Sequence, residues 1–189
     1  MVRVRRIEAD DGLLLRSVRL AALADAPGDA TITLAKAQLR EERHWVESAA
    51  ANASGPMQAT FFALDDSIDL TRAGTGSKAD GDGNAGDGAR AESNVVGMVG
   101  AYANRDGTVN VVGLWSAPGF RDVGVAEALL AATAAWALGA GANRMRIWVV
   151  ERNEHARRYY EDHGFVTTGL AMPYEPDPRI NQLEMVLAL

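Results

Sequence analysis

Apolar residues change their spacing several times along this chain, and each change predicts an element. Val2-Arg-Val-Arg-Arg-Ile7 alternates apolar and basic positions, the two-residue period of a half-buried strand. The period then lengthens. Leu13-Leu14-Leu15, Val18 and Leu23 predict a helix capped by Asp10 or Asp11 and ended before Pro27-Gly28. A second helical pattern starts near Thr33 and carries Leu34, Leu39, Trp45 and Val46 through a charged surface. Phe61-Phe-Ala-Leu64 is short, apolar and strand-like.

Between Asp65 and Ser93 the pattern disappears. Thr71 to Ala91 is a run of glycine, alanine, aspartate, serine and threonine with almost nothing to bury, so ordering it would go uncompensated. We expect a flexible insertion at about 65–93. An acidic lid or a metal loop built on Asp80, Asp82 and Asp87 is the less favoured reading, because the spacing of a helix–loop–helix calcium site is missing.

Asn94 to Tyr102 and Thr108 to Trp115 read as two strands of a hairpin around Asn104-Arg-Asp-Gly107. Next comes a helix with Val125, Leu129, Ala132 and Trp136 on one face, ending near Gly139-Ala-Gly141. Met145, Ile147 and Val149 alternate along a further strand. Asn153 caps a short helix containing Ala156, Tyr159 and Tyr160, which Gly164 ends. Phe165 to Leu170 and Leu183 to Leu189 are the last strands, placed around a proline-rich loop from Ala171 to Gln182. This order predicts an α/β (α+β) protein with one mixed sheet covered by helices, in a single domain over 1–189.

Composition changes the picture little. The chain has 189 residues, 48% of them apolar and 23% charged, as a soluble globular protein would. A formal charge of −6 argues against a nucleic-acid partner. The absence of cysteine removes disulfides, thiolate metal sites and cysteine nucleophiles. His44, His155 and His163 are too scattered for a metal site, so no metal is expected. No run is long enough to span a bilayer, and Glu8, Asp10 and Asp11 interrupt any signal-like start, so a cytoplasmic protein without a membrane partner is expected.

The stretch from Leu114 to Ala126 carries the chemistry. A strand stops at Ala117-Pro118-Gly119, and the segment from Arg121 to Ala126 turns into a helix. The first amides of a helix lack intrahelical partners and sit at the positive end of its dipole, so they attract anions. Gly124 permits close approach, Ala126 adds little bulk, and Arg121 supplies a positive fork, which together suggest a pyrophosphate cradle. A P-loop is disfavoured because no Gly-Lys-Ser/Thr follows, and a dinucleotide fold because Gly-x-Gly-x-x-Gly is absent.

A second block decides between the remaining options. Arg121-x-x-Gly124-x-Ala126 together with Asn153-x-x-Ala156-x-x-x-Tyr160-x-x-x-Gly164-Phe165 resembles the acetyl-CoA motifs of the GNAT superfamily of N-acetyltransferases. The likeness is close from Val95 to Phe165 and looser from Met1 to Leu64. It implies a mostly antiparallel sheet with a V-shaped split between the strands ending at Ser116 and at Val150. It further implies that Leu114, Trp115 and Ser116 pair with the pantetheine arm of acetyl-CoA. The main chain of Arg121, Asp122, Val123, Gly124, Val125 and Ala126 would hold the pyrophosphate, and Asn153 would contact the pantetheine. Tyr160 would point at the thioester sulfur as the catalytic proton donor. Tyr159 is expected in the core.

Two positions depart from the family pattern: Asp122 stands where glycine is usual, and Ser116 where an apolar residue is usual. The implied reaction is transfer of an acetyl group to a primary amine by direct attack in a ternary complex. A main-chain N–H near Trp115 would polarise the carbonyl, and a phenol (ordinary pKa ~10) would protonate a thiolate (thiol near ~8.5). Glu151, Glu47, His44 and Glu175 are the open candidates for the base. The acceptor is a small amine or a protein amine, and dimers are frequent in the superfamily. An acyl-CoA-binding sensor with little turnover is the alternative.

Overall fold

In the computed structural model, which describes residues 2–26, 32–67 and 94–189, seven strands hydrogen-bond into one sheet. They are β1 (Val2–Arg6), β2 (Gln58–Asp65), β3 (Val95–Ala103), β4 (Thr108–Ser116), β5 (Arg144–Val150), β6 (Val166–Tyr174) and β7 (Asp177–Ala188). Their spatial order is β1-β2-β3-β4-β5-β7-β6, antiparallel throughout except where β4 meets β5. Five helices flank it: α1 (Gly12–Asp25), α2 (Leu34–Gln38), α3 (Glu42–Ser54), α4 (Val125–Gly139) and α5 (Glu154–Asp162). The insertion expected at 65–93 lies almost wholly outside the described residues.

Alternation along the strands sorts side chains into two cores. Phe61, Val99, Met145, Ile147 and Met185 meet Val125 and Leu129 of α4 and Tyr160 of α5 on one face. Phe62 and Met98 meet Leu15, Val18 and Leu23 of α1 and Trp45 of α3 on the other. Because both faces are covered, Ala59 to Asp65 of β2 are all buried. Arg6 joins the layers by donating from Nε to Asn52 O (2.7 Å) and from Nη2 to Gly55 O (2.5 Å) and Gln58 O (2.7 Å). It thereby satisfies carbonyls that the end of α3 leaves unpaired.

Three local expectations need correction. The helix predicted from Thr33 is two helices, with a break at Leu39-Arg40-Glu41. The break leaves Leu39 85% exposed and re-aims the chain so that Trp45 is 3% exposed, which one continuous helix would not do. Asp11 occupies the cap position of α1 but makes no side-chain cap bond. Its carboxylate turns back to accept from Glu8 N–H (2.7 Å) and from Arg5. Third, the proline-rich segment Ala171 to Gln182 is no loop: β6 and β7 run through it and turn at Glu175-Pro176. Pro173 is tolerated because β6 is the edge strand, and Pro178 because β5 pairs with β7 only from Gln182 onward.

Candidate active site

β4 and β5 share only three rungs, Thr108↔Arg144, Val109↔Met145 and Asn110↔Arg146. Beyond them the two strands part, and Val111–Ser116 pairs with β3 alone. The register of β3 against β4 slips between Met98 and Gly100, and Gly113 takes φ +60°, so β4 bends away just where the pairing stops. A polar clamp closes the apex. Arg146 Nε donates to Asn110 Oδ1 (2.8 Å), Arg146 Nη1 to Glu184 Oε1 (3.2 Å), and Thr168 Oγ1 to Glu184 Oε2 (2.6 Å).

Leu114 packs into the α4 core, Trp115 into the α1 core, and Ser116 Oγ is buried without a hydrogen-bond partner. After β4 the chain makes one 3-10 turn (Pro118–Phe120) and a second turn over Arg121–Gly124, and then enters α4. Asp122 (φ +60°) and Gly124 (φ +87°) are both left-handed. Aspartate tolerates that geometry better than most residues, so it replaces glycine here without breaking the turn. Gly124 stands at the cap position, where no side chain bonds the first amides of α4, and the space where its β-carbon would point is open. Val123 is exposed, Val125 is buried in the core, and Ala126 is half-buried.

Arg121 is not free in this loop. Its guanidinium forms an ion pair with Asp25 Oδ2 at the end of α1, and the same oxygen accepts from Trp115 Nε1 (2.9 Å). One carboxylate therefore ties α1, β4 and the turn ahead of α4 together. Nothing local to Asp25 in the sequence signals that link.

Asn153 caps α5, accepting from Ala156 N–H at 2.9 Å. Tyr160 is 6% exposed and lies edge-on to Phe165 and Tyr159, with ring centroids 5.4 Å apart in both pairs. Tyr159 packs against the same core, as expected, and stacks on His163 (4.2 Å). Its buried hydroxyl has no partner, and burial together with the charge of Glu127 pushes its pKa well up.

The four candidate bases are dispersed. Glu151 accepts from Asn181 N–H (3.1 Å), and Glu175 at the β6–β7 turn pairs with Lys36 (3.6 Å). His44 and Glu47 lie on α3, where Arg40 Nη1 stands 2.8 Å from His44 Nε2. Burial and Arg40 lower the His44 pKa. The sequence reading missed Glu184, a 6% exposed carboxylate; its signal is a lone charged residue in the otherwise apolar run from Leu183 to Leu189. Among the described residues no group of His, Cys, Asp or Glu is placed to hold a metal ion, and no helix is long and apolar enough to cross a membrane.

Solved structures share this architecture. A GNAT-family acetyltransferase from Streptococcus pneumoniae aligns with TM-score 0.72 at 17% identity, covering 100% of this chain and 99% of its own. The PaiA N-acetyltransferase of Thermoplasma acidophilum, solved in complex with coenzyme A, aligns with TM-score 0.68 at 11% identity, covering 100% and 99%. A GCN5-related N-acetyltransferase from Kribbella flavida gives 0.67 at 19% identity, covering 100% and 98%. No curated protein matches by sequence. The acetyltransferase (GNAT) family pattern does match, over residues 57–165, from the residue before β2 to the residue before β6 and thus across both motif blocks. With more than half of its length matched, this chain belongs to the GNAT family of acetyltransferases, transferases that use acyl-CoA and act on amine acceptors.

Proposed function

We propose that the protein transfers an acetyl group from acetyl-CoA to a primary amine by direct attack, with both substrates bound together. The observation that carries this reading is the parting of β4 from β5 directly ahead of a helix start whose amides are uncapped. Two features fit the nucleotide thiol: the orphaned Ser116 Oγ at the end of β4 and the open approach over Gly124.

The residues divide the work. The main chain of Leu114, Trp115 and Ser116, unpaired on the β5 side, offers amides and carbonyls to the pantetheine arm, and Ser116 Oγ gains a partner there. The amides from Arg121 through Asp122, Val123, Gly124 and Val125 to Ala126 meet the diphosphate at the positive end of α4. Arg121 exchanges Asp25 for that anion. Asn153 holds the start of α5 and touches the arm, and α5 carries Tyr160 toward the sulfur.

Bound acetyl-CoA supplies an acyl carbon already activated as a thioester. The amine nitrogen bonds to that carbon, the carbon–sulfur bond breaks, the amine gives up one proton to water, and the thiolate takes one from the Tyr160 hydroxyl, which regains a proton from solvent. A main-chain N–H near the end of β4, on the edge that faces the split, meets the negative charge growing on the carbonyl oxygen. No enzyme nucleophile is needed.

Calorimetry with acetyl-CoA, followed by thiol release across an amine panel, tests the proposal. Tyr160→Phe should lower turnover by about 10²-fold or more, the usual scale of general acid catalysis, with acetyl-CoA affinity nearly unchanged. Unaltered turnover in that variant would move the acid elsewhere. Tight acetyl-CoA binding with no thiol release for any amine would leave an acyl-CoA sensor in place of an enzyme.

A further inference from the structure

Arg19 stands out among the half-buried arginines. Arg5 is bonded to Asp11, Arg6 to carbonyls at the end of α3, and Arg146 to Asn110 and Glu184. Arg19, on α1, has no carboxylate or carbonyl partner among the described residues. A guanidinium has five donors and no acceptor, and removing them from water without a partner is costly. Burial lowers the Arg19 pKa, and the nearby charge of Arg40 lowers it further rather than offsetting the loss of water. Such an arrangement is unfavourable for a protein at rest. It suits a site that waits for an anion.

The position of the group says which anion. Its guanidinium lies against Gly113, with Cζ 3.2 Å from the point where a β-carbon would stand and Nη1 nearer still. Gly113 is the left-handed residue of β4 just past the last rung shared with β5 and just before Leu114. A side chain at 113 would strike the guanidinium, so glycine makes room for it. The diphosphate end of the site is elsewhere. Asp25, the residue that holds Arg121, is six positions further along α1, about 9 Å at 1.5 Å per residue. Arg19 therefore faces the acyl end of the split, on the α1 side of the sheet, while the nucleotide cradle lies at the start of α4.

We propose that Arg19 is the receptor for a carboxylate carried by the acceptor, so that the substrate class is a primary amine bearing a carboxylate, such as an amino acid. The inference rests on the transfer reading above and narrows it. The planar fork donates to both carboxylate oxygens, which fixes the acceptor relative to β4 and leaves its amine to reach the acyl carbon. The chain is acidic overall, at −6, so a cation facing this cleft runs against the general field and selects locally.

Matched pairs test it: a panel of free amino acids, each against its own carboxamide, with thiol release as the readout. The acids should be preferred by about 10- to 100-fold in kcat/KM, the range of one charge-assisted hydrogen-bonded pair. Arg19→Gln should erase that preference through KM by bringing the acids down to the level of the amides, leave acetyl-CoA affinity unchanged, and melt as the parent does. Arg19→Lys should restore part of it. Calorimetry of the same pairs on the CoA-saturated protein reads the site without turnover. Acid binding that is lost in Arg19→Gln supports the assignment; equal binding of acid and amide, or binding of neither, overturns it. An aminophosphonate preferred over its carboxylate counterpart would also overturn the carboxylate assignment. Absence of thiol release across the whole panel, with acid binding intact, refutes the transfer reading and leaves Arg19 as an anion receptor.

Discussion

Gly97 on β3 sets how closely α4 approaches the sheet, and Gly97→Ala measures what that approach contributes. A β-carbon there would lie 2.6 Å from Val125 Cγ1, 2.9 Å from the carbonyl oxygen of Trp115 and 3.1 Å from Leu129 Cδ1. Val125 and Leu129 are 1% and 0% exposed, so neither side chain can swing away, and the carbonyl belongs to the backbone of the neighbouring strand β4. Restoring ordinary contact means moving Val125 from 2.6 to at least 3.4 Å. The first turn of α4 would have to retreat by most of an ångström. Overpacking of this kind costs about 1–3 kcal/mol, which for a chain of this size lowers Tm by roughly 2–12 °C. Because the retreating turn carries the uncapped amides, acetyl-CoA should bind about 10-fold more weakly as well.

Two controls separate the causes. Gly124→Ala meets no atom within 4 Å but forces an alanine to φ +87°, a backbone strain of about 1–2 kcal/mol without any displacement of α4. Gly119→Ala meets nothing and has no such φ, so it should behave as the parent within about 0.5 kcal/mol. Thermal melts and calorimetry on the three variants decide the matter. Parental Tm and parental affinity in Gly97→Ala would refute the claim that this contact positions the helix.

Two further outcomes follow from the charges. Asp25→Asn removes the carboxylate that holds Arg121, so acetyl-CoA should bind several-fold more tightly, with less than about 1 kcal/mol lost in stability because the pair is exposed; unchanged or weaker binding would show that Asp25 does not compete with the ligand. His44 titrates below the ordinary histidine range of about 6.5, so near pH 6 the unfolded chain holds more protons than the folded one and stability should rise with pH through that window. NMR titration should place the His44 midpoint below 6.5 and move it up in Arg40→Ala; a normal midpoint in the parent would refute the effect of burial and Arg40.

Periodicity revealed most of the fold because most elements bury one face against one partner. Val125 and Leu129 on α4, and Met145, Ile147 and Val149 on β5, announce their faces by spacing alone. The hairpin at Asn104–Gly107 and the cap at Asn153 are local chemistry and were equally legible. What failed depends on distant parts of the chain. Pro173 and Pro178 look like breakers until the strand order leaves their missing N–H groups on unpaired edges. Leu39 looks like a core position until Trp45 claims that place. The left-handed turn into α4 could be read from Gly124 and its neighbours, whereas the link from Asp25 to Trp115 and Arg121 spans 90 and 96 residues and leaves no local trace.

The three rungs between β4 and β5 have a consequence for how the protein avoids its own kind. A bare strand edge on the rim of a sheet recruits other chains, and proteins normally blunt such edges with charge or proline. Here two bare edges face inward across a wedge pinned at its apex by Arg146 and Asn110, away from the rim of the sheet. A slender thread with amides of its own fits that wedge and meets a main-chain edge on either side. The opening thus works as a sieve, and whatever passes through it also stiffens the hinge between β1–β4 and β5–β7.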